Sequence, residues 1–336
     1  MEPYHIIIER NIPFTRGLFE KYAQVSYLSA PEITPEVMRT ADALMTRTRT
    51  KCNASLLEGS RCRIIASATI GLDHVDLDWC KARGIRVENV PGCNAPAVGQ
   101  YVMAAIIAAY GTDLRGLTLG IIGKGHVGSI VSRWARGLGM KVMACDPPRA
   151  EAEGPEKFCS MEDIAREADV ITVHTPYTRT GDYPTHHLLN ADFFSKLQRK
   201  PMIINSARGP ITDTAALNRA MDRGQISRAV IDCWEGEPDI DRELLQKAFI
   251  ATPHIAGYSR EGKMRATVMA ARAIARALSL PMPEFSEPVP ADAPATVTAE
   301  AITATYNPLD DTAILRANPE RFETLRNTYN LRTEPI

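Results

Sequence analysis

The chain of 336 residues is long enough for two or three domains with sizeable cores. Hydrophobic residues make up 45% and charged residues 24%, a balance that is typical of a globular protein and excludes a largely disordered one. The formal net charge of -1 provides no overall attraction to nucleic acid or to an anionic membrane. No apolar run approaches the roughly 18 residues of a membrane span. We therefore expect neither partner, and we expect a cytoplasmic protein.

The cysteines and the N-terminal segment agree with that location. The seven cysteines form no C-x-x-C pair and mostly adjoin apolar residues, which predicts small buried side chains in a reducing compartment rather than disulfides or a metal site. The first residues, MEPYHIIIERNIPF, are too charged and their apolar run is too short for a signal peptide.

Short apolar runs alternate with helix-like segments from the start of the chain. Strands are predicted at 5–9, 41–46, 62–67 and 84–90, with helical spacing in the intervening segments FTRGLFEKYA and TPEVMRTA. A second series of strands begins with TLGIIG and continues through KVMACD, DVITVH, PMIINSA, RAVIDCW and AFIATP. This alternation predicts parallel sheets covered by helices on both faces.

Two alanine-rich apolar segments are long enough for buried helices: the one at 95–111 lies between the two series, and the one at 264–280 follows the second series and could carry the chain back. We therefore predict an α/β protein with two doubly wound parallel-sheet domains, Rossmann-like and flavodoxin-like, and an active-site cleft between them. The predicted substrate domain covers 1–94 and 255–285, and the nucleotide domain covers 95–254. A proline-rich linker then leads into a short C-terminal segment within 286–336.

The segment TLGIIGKGHVG indicates a dinucleotide site. Gly123, Gly125 and Gly128 form G-x-G-x-x-G after a predicted strand and before a predicted helix, where glycines permit a tight turn and the helix start offers amides to a pyrophosphate. Asp146 ends the next strand, at the spacing of the acid that binds the adenosine ribose. A carboxylate there favours NAD over NADP, although Arg149 leaves NADP open.

Three later motifs place reactive side chains after predicted strands, at the edge of the sheet where ligands bind in such folds. INSARGP carries Arg208, DCWEGEP carries Glu235 and Glu237, and TPHIAGY carries His254. Oxidation of an alcohol needs a base for the hydroxyl proton, a cation for an acid group and a residue that orients the base. The same residues also fit a purely structural set, and spacing alone leaves both interpretations open.

The motifs GIIGKGHVG, INSARG, DCWEGEP and TPHIAGY, in this order, resemble those of the D-isomer-specific 2-hydroxyacid dehydrogenases. The resemblance implies that Arg208 binds the substrate carboxylate and 2-oxygen, that Glu237 holds the histidine, and that His254 is the acid/base. It also implies a homodimer, with the short C-terminal segment 286–336 taking part in dimerisation.

Further stretches, among them PGCNA, CDPPRA and the tail RFETLRNTYNLRTEP, narrow the resemblance to family members that act on a phosphorylated 2-hydroxy acid. The reaction so implied is NAD-dependent oxidation of 4-phospho-D-erythronate to its 2-oxo acid, a step toward pyridoxal 5'-phosphate. The alternatives are a family member acting on phosphoglycerate or glycerate, and an NAD-sensing corepressor-type binding protein.

The remaining site residues follow from the resemblance and from the basic loop RTRTK. We expect no metal in the site. A dianionic phosphate needs donors and positive charge, which this loop supplies. The expected NAD-binding set is Gly123, Gly125, His126, Val127, Gly128, Asp146, Thr175, Ala207, Asp232 and Gly257, with Asp232 as an acceptor for the carboxamide. The expected substrate-binding set is Thr48, Thr69, Tyr258, Arg47 and Lys51. Three features depart from the family pattern: the loop sequence GKGHVG, a glutamate at Glu9, and a tail after the linker that is shorter than the dimerisation domain of the longer members.

Overall fold

The computed structural model describes residues 3–335. Within them the strands are β1 (His5–Glu9), β2 (Gln24–Leu28), β3 (Ala43–Thr46), β4 (Ile64–Ser67), β5 (Arg86–Glu88), β6 (Thr118–Ile122), β7 (Lys141–Cys145), β8 (Val170–Val173), β9 (Met202–Asn205), β10 (Arg228–Ile231) and β11 (Ile250–Ala251).

The helices of the same residues are α1 (Pro35–Met38), α2 (Ala54–Leu57), α3 (Leu77–Ala82), α4 (Ala95–Tyr110), α5 (His126–Gly137), α6 (Pro147–Glu153), α7 (Met161–Glu167), α8 (Ala191–Ser195), α9 (Thr214–Asp222), α10 (Arg242–Lys247), α11 (Arg260–Leu278), α12 (Ala299–Thr305), α13 (Pro308–Ala317) and α14 (Phe322–Asn327). Short 3-10 helices lie at Ala30–Glu32, Pro155–Lys157, Gly209–Ile211 and Pro319–Arg321. None of the helices in this described part is long and apolar enough to cross a membrane.

The chain divides into two compact units. The first runs up to Asn94 and includes Arg260–Asp292, and the second comprises Ala95–Ser259 together with the chain from Ala293 onward. The tail from Ala293, which is part of the segment 286–336 predicted to take part in dimerisation, belongs to the second unit. The α/β fold with two parallel-sheet domains is confirmed by the strand pairing in both units.

The first unit contains a five-stranded parallel sheet in the order β2-β1-β3-β4-β5, the flavodoxin-like order. Successive residues of a strand point to opposite faces, and both faces are buried here. Ile6 and Ile8 pack in the core that contains α11, whereas Ile7 packs in the core on the other face, with residues such as Met38 and Leu57. This double burial explains why the strand predicted at 5–9 is a continuous apolar run.

One early prediction is wrong. The segment 14–23, which we expected to be helical, forms turns, because Phe14 and Gly17 adopt positive φ angles of 61° and 83° that a right-handed helix excludes. The carboxylate of Glu20 accepts hydrogen bonds from the backbone of Gly17 and Phe19 and so stabilises the turns.

The second unit contains a six-stranded parallel sheet in the order β11-β10-β9-β8-β6-β7. β6 lies between β7 and β8, so the connections from it diverge to opposite sides and leave a crevice at its carboxyl end, the usual ligand position in doubly wound sheets. Ile121 faces the core formed with α4 and α5, and Ile122 faces the opposite core. The tail contributes Ile302 to the first of these cores.

Candidate active site

A glycine turn joins β6 to α5 at the crevice. A Cβ added to Gly123, whose φ is 88°, would lie 2.8 Å from the backbone of His174, and one on Gly128 would lie 2.2 Å from the carbonyl oxygen of Gly123. A Cβ on Gly125 would meet nothing within 4 Å, so this side of the turn is open. His126 and Val127 begin α5, where backbone amides have no partner within the helix. The turn therefore fits a pyrophosphate.

Asp146 follows β7 and is joined to the same turn. Its carboxylate accepts a hydrogen bond from the backbone of Lys124 at 2.7 Å and caps α6 by accepting from the backbone of Arg149. The Arg149 guanidinium is paired with Glu153 at 2.6 Å and also donates to the Lys124 carbonyl. Arg149, the cation that could have bound the 2'-phosphate of NADP, is thus paired with protein groups. This pairing favours NAD, whose adenosine ribose carries no phosphate.

Two buried hydroxyls lie at the ends of neighbouring strands, Thr175 after β8 and Ser206 after β9. Among the described residues neither side-chain oxygen has a hydrogen-bond partner. Buried polar atoms are normally paired, so these orphans indicate a ligand at the carboxyl edge of the sheet. Thr175 belongs to the predicted cofactor set. Ser206 does not, although its position in INSARGP was the available signal.

The loop after β9 carries Ala207 and Arg208 and is fixed by Asn205. The Asn205 side chain accepts from the backbone of Ala207 at 3.1 Å and donates to the carbonyl of Arg208 at 3.0 Å. A Cβ on Gly209 would lie 2.0 Å from the backbone of Trp234, so only glycine permits this loop to contact the one after β10. The predicted substrate cation is thereby placed beside the DCWEGEP loop.

Glu237 and His254 form a hydrogen-bonded pair. Nδ1 of His254 lies 2.8 Å from Oε2 of Glu237, while Oε1 of Glu237 accepts from the backbone of Trp234 at 2.7 Å. The pair is largely buried, with side chains 23% and 18% exposed. Burial raises the pKa of Glu237, but the hydrogen bond and charge of His254, the backbone of Trp234 and the charge of Arg326 together hold that pKa below its ordinary value. An ionised carboxylate requires the proton on Nδ1, so Nε2 carries the lone pair.

Asp232 anchors the histidine loop. Its fully buried carboxylate accepts from the backbone of Ile255 at 2.7 Å, the backbone of Ala256 at 3.0 Å and the hydroxyl of Thr252 at 2.7 Å. Burial also raises its pKa. The structure therefore gives Asp232 a positioning contact that sequence reasoning missed, while its contact with the nicotinamide amide stays a prediction.

Gly257 and Tyr258 continue this loop toward α11. The ring of Tyr258 meets that of Tyr329 edge to face, with centroids 6.2 Å apart, and its hydroxyl is hydrogen-bonded to Arg326. Both partners belong to the C-terminal tail. They were missed because they lie far along the chain from the motifs around the site.

In the first unit, Glu9 organises the basic loop. Its buried carboxylate accepts from the backbone of Arg47 and the hydroxyl of Thr50, both at 2.5 Å. Thr48 and Lys51 are exposed, and Arg47 donates to the carbonyl of Asn11. Separately, the Thr69 hydroxyl bonds to Ser67 at 2.7 Å. The glutamate that departs from the family pattern therefore fixes the shape of this loop.

One cluster has the composition of a metal site. The ligand atoms of Cys233, Glu237 and His254 lie within 4.8 Å of one another. Burial raises the pKa of the Cys233 thiol well above its ordinary value, and it is the thiolate that binds metals. The cluster is therefore better described as an acid/base pair beside a neutral thiol.

Residues 99–256 match the family model described as "D-isomer specific 2-hydroxyacid dehydrogenase, NAD binding domain". The chain is also 46% identical to a Bacteroides thetaiotaomicron protein named erythronate-4-phosphate dehydrogenase, over 98% of this chain and 97% of that one. The chain belongs to the D-isomer-specific 2-hydroxyacid dehydrogenase family. It thus carries the NAD-binding domain of that family, and the predicted resemblance is confirmed.

Solved structures agree. A 3-phosphoglycerate dehydrogenase from Entamoeba histolytica with NAD+ bound is 26% identical, with a TM-score of 0.69 over 82% of this chain and 96% of that one. A D-lactate dehydrogenase from Aquifex aeolicus, complexed with NAD and lactic acid, is 26% identical with a TM-score of 0.67 over 82% and 95% of the two chains. The shared fold with NAD complexes supports NAD as the cofactor.

Proposed function

We propose that this protein catalyses the NAD-dependent oxidation of 4-phospho-D-erythronate to (R)-3-hydroxy-2-oxo-4-phosphooxybutanoate, a step in pyridoxal 5'-phosphate biosynthesis. The carrying observation is the His254–Glu237 pair, with a 2.8 Å bond, in a unit that also holds the glycine turn of the NAD-binding domain. The name and the near-complete coverage of the Bacteroides relative support the choice of substrate.

The reaction requires proton removal from the 2-hydroxyl as hydride leaves C2. His254 accepts that proton at Nε2, because its Nδ1 is bonded to Glu237. The ionised Glu237 stabilises the resulting imidazolium and fixes the orientation of the ring. Arg208 binds the substrate carboxylate, and a planar guanidinium suits such bidentate contact. NAD, when bound, supplies the hydride acceptor.

The residues proposed to hold NAD surround the carboxyl edge of the second sheet. The glycine turn with His126 and Val127 binds the pyrophosphate, and Asp146 binds the adenosine ribose. Thr175, Ala207, Asp232 and Gly257 would hold the remainder of NAD, with Asp232 as the acceptor for its carboxamide. The unpartnered hydroxyl of Thr175 supports this part of the site.

The substrate phosphate is proposed to bind the basic loop, through Arg47, Thr48 and Lys51, with Thr69 and Tyr258 contacting the remainder of the substrate. Two exposed or half-exposed cations on a loop fixed by Glu9 support this assignment. We expect Arg47→Ala and Lys51→Ala each to raise KM for phosphoerythronate about 10-fold, as loss of a charge-assisted contact to phosphate does. Unchanged KM in both variants would refute it.

The assay that tests this function compares three substrates. Purified protein receives phosphoerythronate, 3-phosphoglycerate or D-lactate, with a 2-oxo acid as electron sink in case NAD stays bound through turnover. We expect phosphoerythronate to give the highest kcat/KM. Faster turnover of either competitor contradicts the substrate assignment, and absence of turnover with all three supports an NAD-sensing binding protein instead.

We also propose that the enzyme is a cytoplasmic homodimer. Six of its seven cysteines are buried and all seven are free thiols, which suits a reducing compartment. Leu309 and Ile314 on α13 are 41% and 48% exposed, and they are candidates for a dimer contact of the C-terminal segment. Light scattering of Leu309→Asp and Ile314→Asp variants tests this, with a monomer as the expected result.

A further inference from the structure

The end of the tail contacts the loop that carries His254. Ser259 pairs with Arg332 as an isolated parallel bridge, and its hydroxyl donates to Glu334 at 2.6 Å. Arg332 is only 8% exposed and donates to the carbonyls of Ile255, at 3.0 Å, and Ala256. A buried guanidinium keeps its acceptor carbonyls in place, because the loss of a hydrogen bond would leave part of its charge buried without a partner. The tail therefore fixes the backbone of the histidine loop.

Arg326 extends this contact to the side chains of the acid/base pair. It lies on α14 with its side chain 19% exposed, and its Nη1 is 4.0 Å from Oε2 of Glu237. That is the same oxygen that bonds His254. Arg326 also makes the hydrogen bond to Tyr258. One tail residue thus meets the carboxylate of the pair and the proposed substrate-binding tyrosine.

We propose that Arg326 is a positioning residue of the active site, which holds Glu237 and Tyr258 in place and sets the charge around His254. The proposal rests on the proposed function in taking His254 as the base. It extends that function by making the C-terminal tail part of the acid/base site as well as of the fold.

The charge of Arg326 gives this role a measurable signature. A cation beside the pair disfavours the imidazolium, so neutralising Arg326, whose Nη1 lies 4.0 Å from Oε2 of Glu237, should make the His254 ring easier to protonate. Among the described residues, Asp232 interacts with the charge of His254 and Cys233 with that of Glu237; Arg208 interacts with Cys233, and Tyr258 and Glu323 contact Arg326. The carboxylates among these groups remain in the variants. Their negative charge favours the imidazolium of His254, as does the removal of the Arg326 cation.

The test compares Arg326→Gln and Arg326→Met with the charge-conserving Arg326→Lys and with Arg321→Gln, an exposed arginine of the same tail. In the full chain without cofactor, NMR titration of the His254 ring, assigned by its loss in His254→Gln, gives the protonation midpoint. We expect the neutral variants to raise it by about 0.5–1 pH unit, and the other two to keep the wild-type value.

Kinetics provide the second measurement. The acid limb of the kcat/KM profile should move to higher pH in the neutral variants, with kcat/KM near neutral pH lower by about 10-fold. Arg326→Lys should keep the wild-type limb while losing part of the rate. A neutral variant that folds and keeps both the wild-type midpoint and the wild-type limb overturns the proposal. Where neither neutral variant folds, a shifted midpoint in Arg326→Lys overturns it.

The NMR titration needs no turnover, so it remains informative if phosphoerythronate is not the substrate. A failed substrate assay with shifted midpoints refutes the proposed function alone. Normal turnover with unshifted midpoints refutes the role of Arg326 alone.

Discussion

The DCWEGEP loop carries two glutamates, and each pairs with a histidine. Glu237 bonds His254 at 2.8 Å, and Glu235 bonds His187 at 2.6 Å. In both cases burial raises the carboxylate pKa, but the histidine and neighbouring hydrogen-bond donors together lower it below its ordinary value. Distance and pKa direction therefore do not distinguish a catalytic pair from a structural one.

Their surroundings do distinguish them. The side chains of His187 and Glu235 are 33% and 31% exposed, against 23% and 18% for His254 and Glu237. The ring of His187 stacks on that of His186 at 4.0 Å, whereas the backbone of the His254 loop is held by Asp232. A general base must be oriented by groups that do not move. The His187–Glu235 pair joins two loops, whereas the His254–Glu237 pair meets the requirements of catalysis.

The largest expected effect separates the two histidines. His254→Ala should lower kcat by about 10²–10⁴-fold, because the proton acceptor is removed. His187→Ala leaves that acceptor in place and should keep kcat within about 3-fold of the wild type. Steady-state kinetics with saturating phosphoerythronate and NAD measure both. Equal losses in the two variants would mean that the comparison between the pairs is wrong.

Substitution of the two glutamates should also affect kcat/KM unequally, with the larger loss at Glu237. Glu237→Gln removes the charge that stabilises the imidazolium, and kcat/KM should fall by about 10²-fold. Glu235→Gln is the matched control on the same loop, and we expect its kcat/KM within about 2-fold of the wild type. A larger loss in the control would assign catalysis to the other pair.

Asp232, which anchors the His254 loop, should contribute to the free energy of unfolding. Asp232→Asn replaces an acceptor of two backbone amides and a hydroxyl, and should lower the free energy of unfolding by about 1–3 kcal/mol. Urea denaturation followed by circular dichroism measures it. Asp182→Asn, at an exposed position, is the control and should stay within about 0.5 kcal/mol of the wild type. Indistinguishable variants would remove Asp232 from the positioning contacts.

The smallest effect is a pH dependence. Because the folded-state pKa of Glu237 is lowered, its ionised form stabilises the fold above the ordinary glutamate pKa, and this contribution is lost as the pH falls through the lowered value. The stability difference between the wild type and Glu237→Gln should therefore shrink from pH 7 toward pH 3. The same sign holds for the more exposed Glu235, with a smaller amplitude. A difference that grows on acidification contradicts the pairing.

The elements that could be predicted are those with a local sequence pattern. Continuous apolar runs such as HIIIE became buried central strands, and the glycine pattern became a tight turn in which Gly123 and Gly128 exclude side chains. β2 was missed because QVSYL is half exposed at the sheet edge and carries no such run. The segment around Gly17 was wrongly assigned because helical spacing does not reveal positive φ angles.

The site was predictable to the extent that its residues sit in strand-end motifs. The motifs predict His254 and Glu237 as site residues, and the structure brings these two side chains within hydrogen-bond distance. Asp232 was identified, but its contacts with the backbone of Ile255 and Ala256 are tertiary and leave no local pattern. The same holds for Arg326, since its partner Glu237 lies on a distant loop.

The most direct test of the central claim is single-turnover hydride transfer, followed by the absorbance of reduced nicotinamide after rapid mixing with phosphoerythronate. It isolates the chemical step from product release. The account predicts that His254→Gln loses the fast phase by about 10²-fold or more, while His187→Gln keeps the wild-type rate. A preserved fast phase in His254→Gln would contradict the assignment of the base.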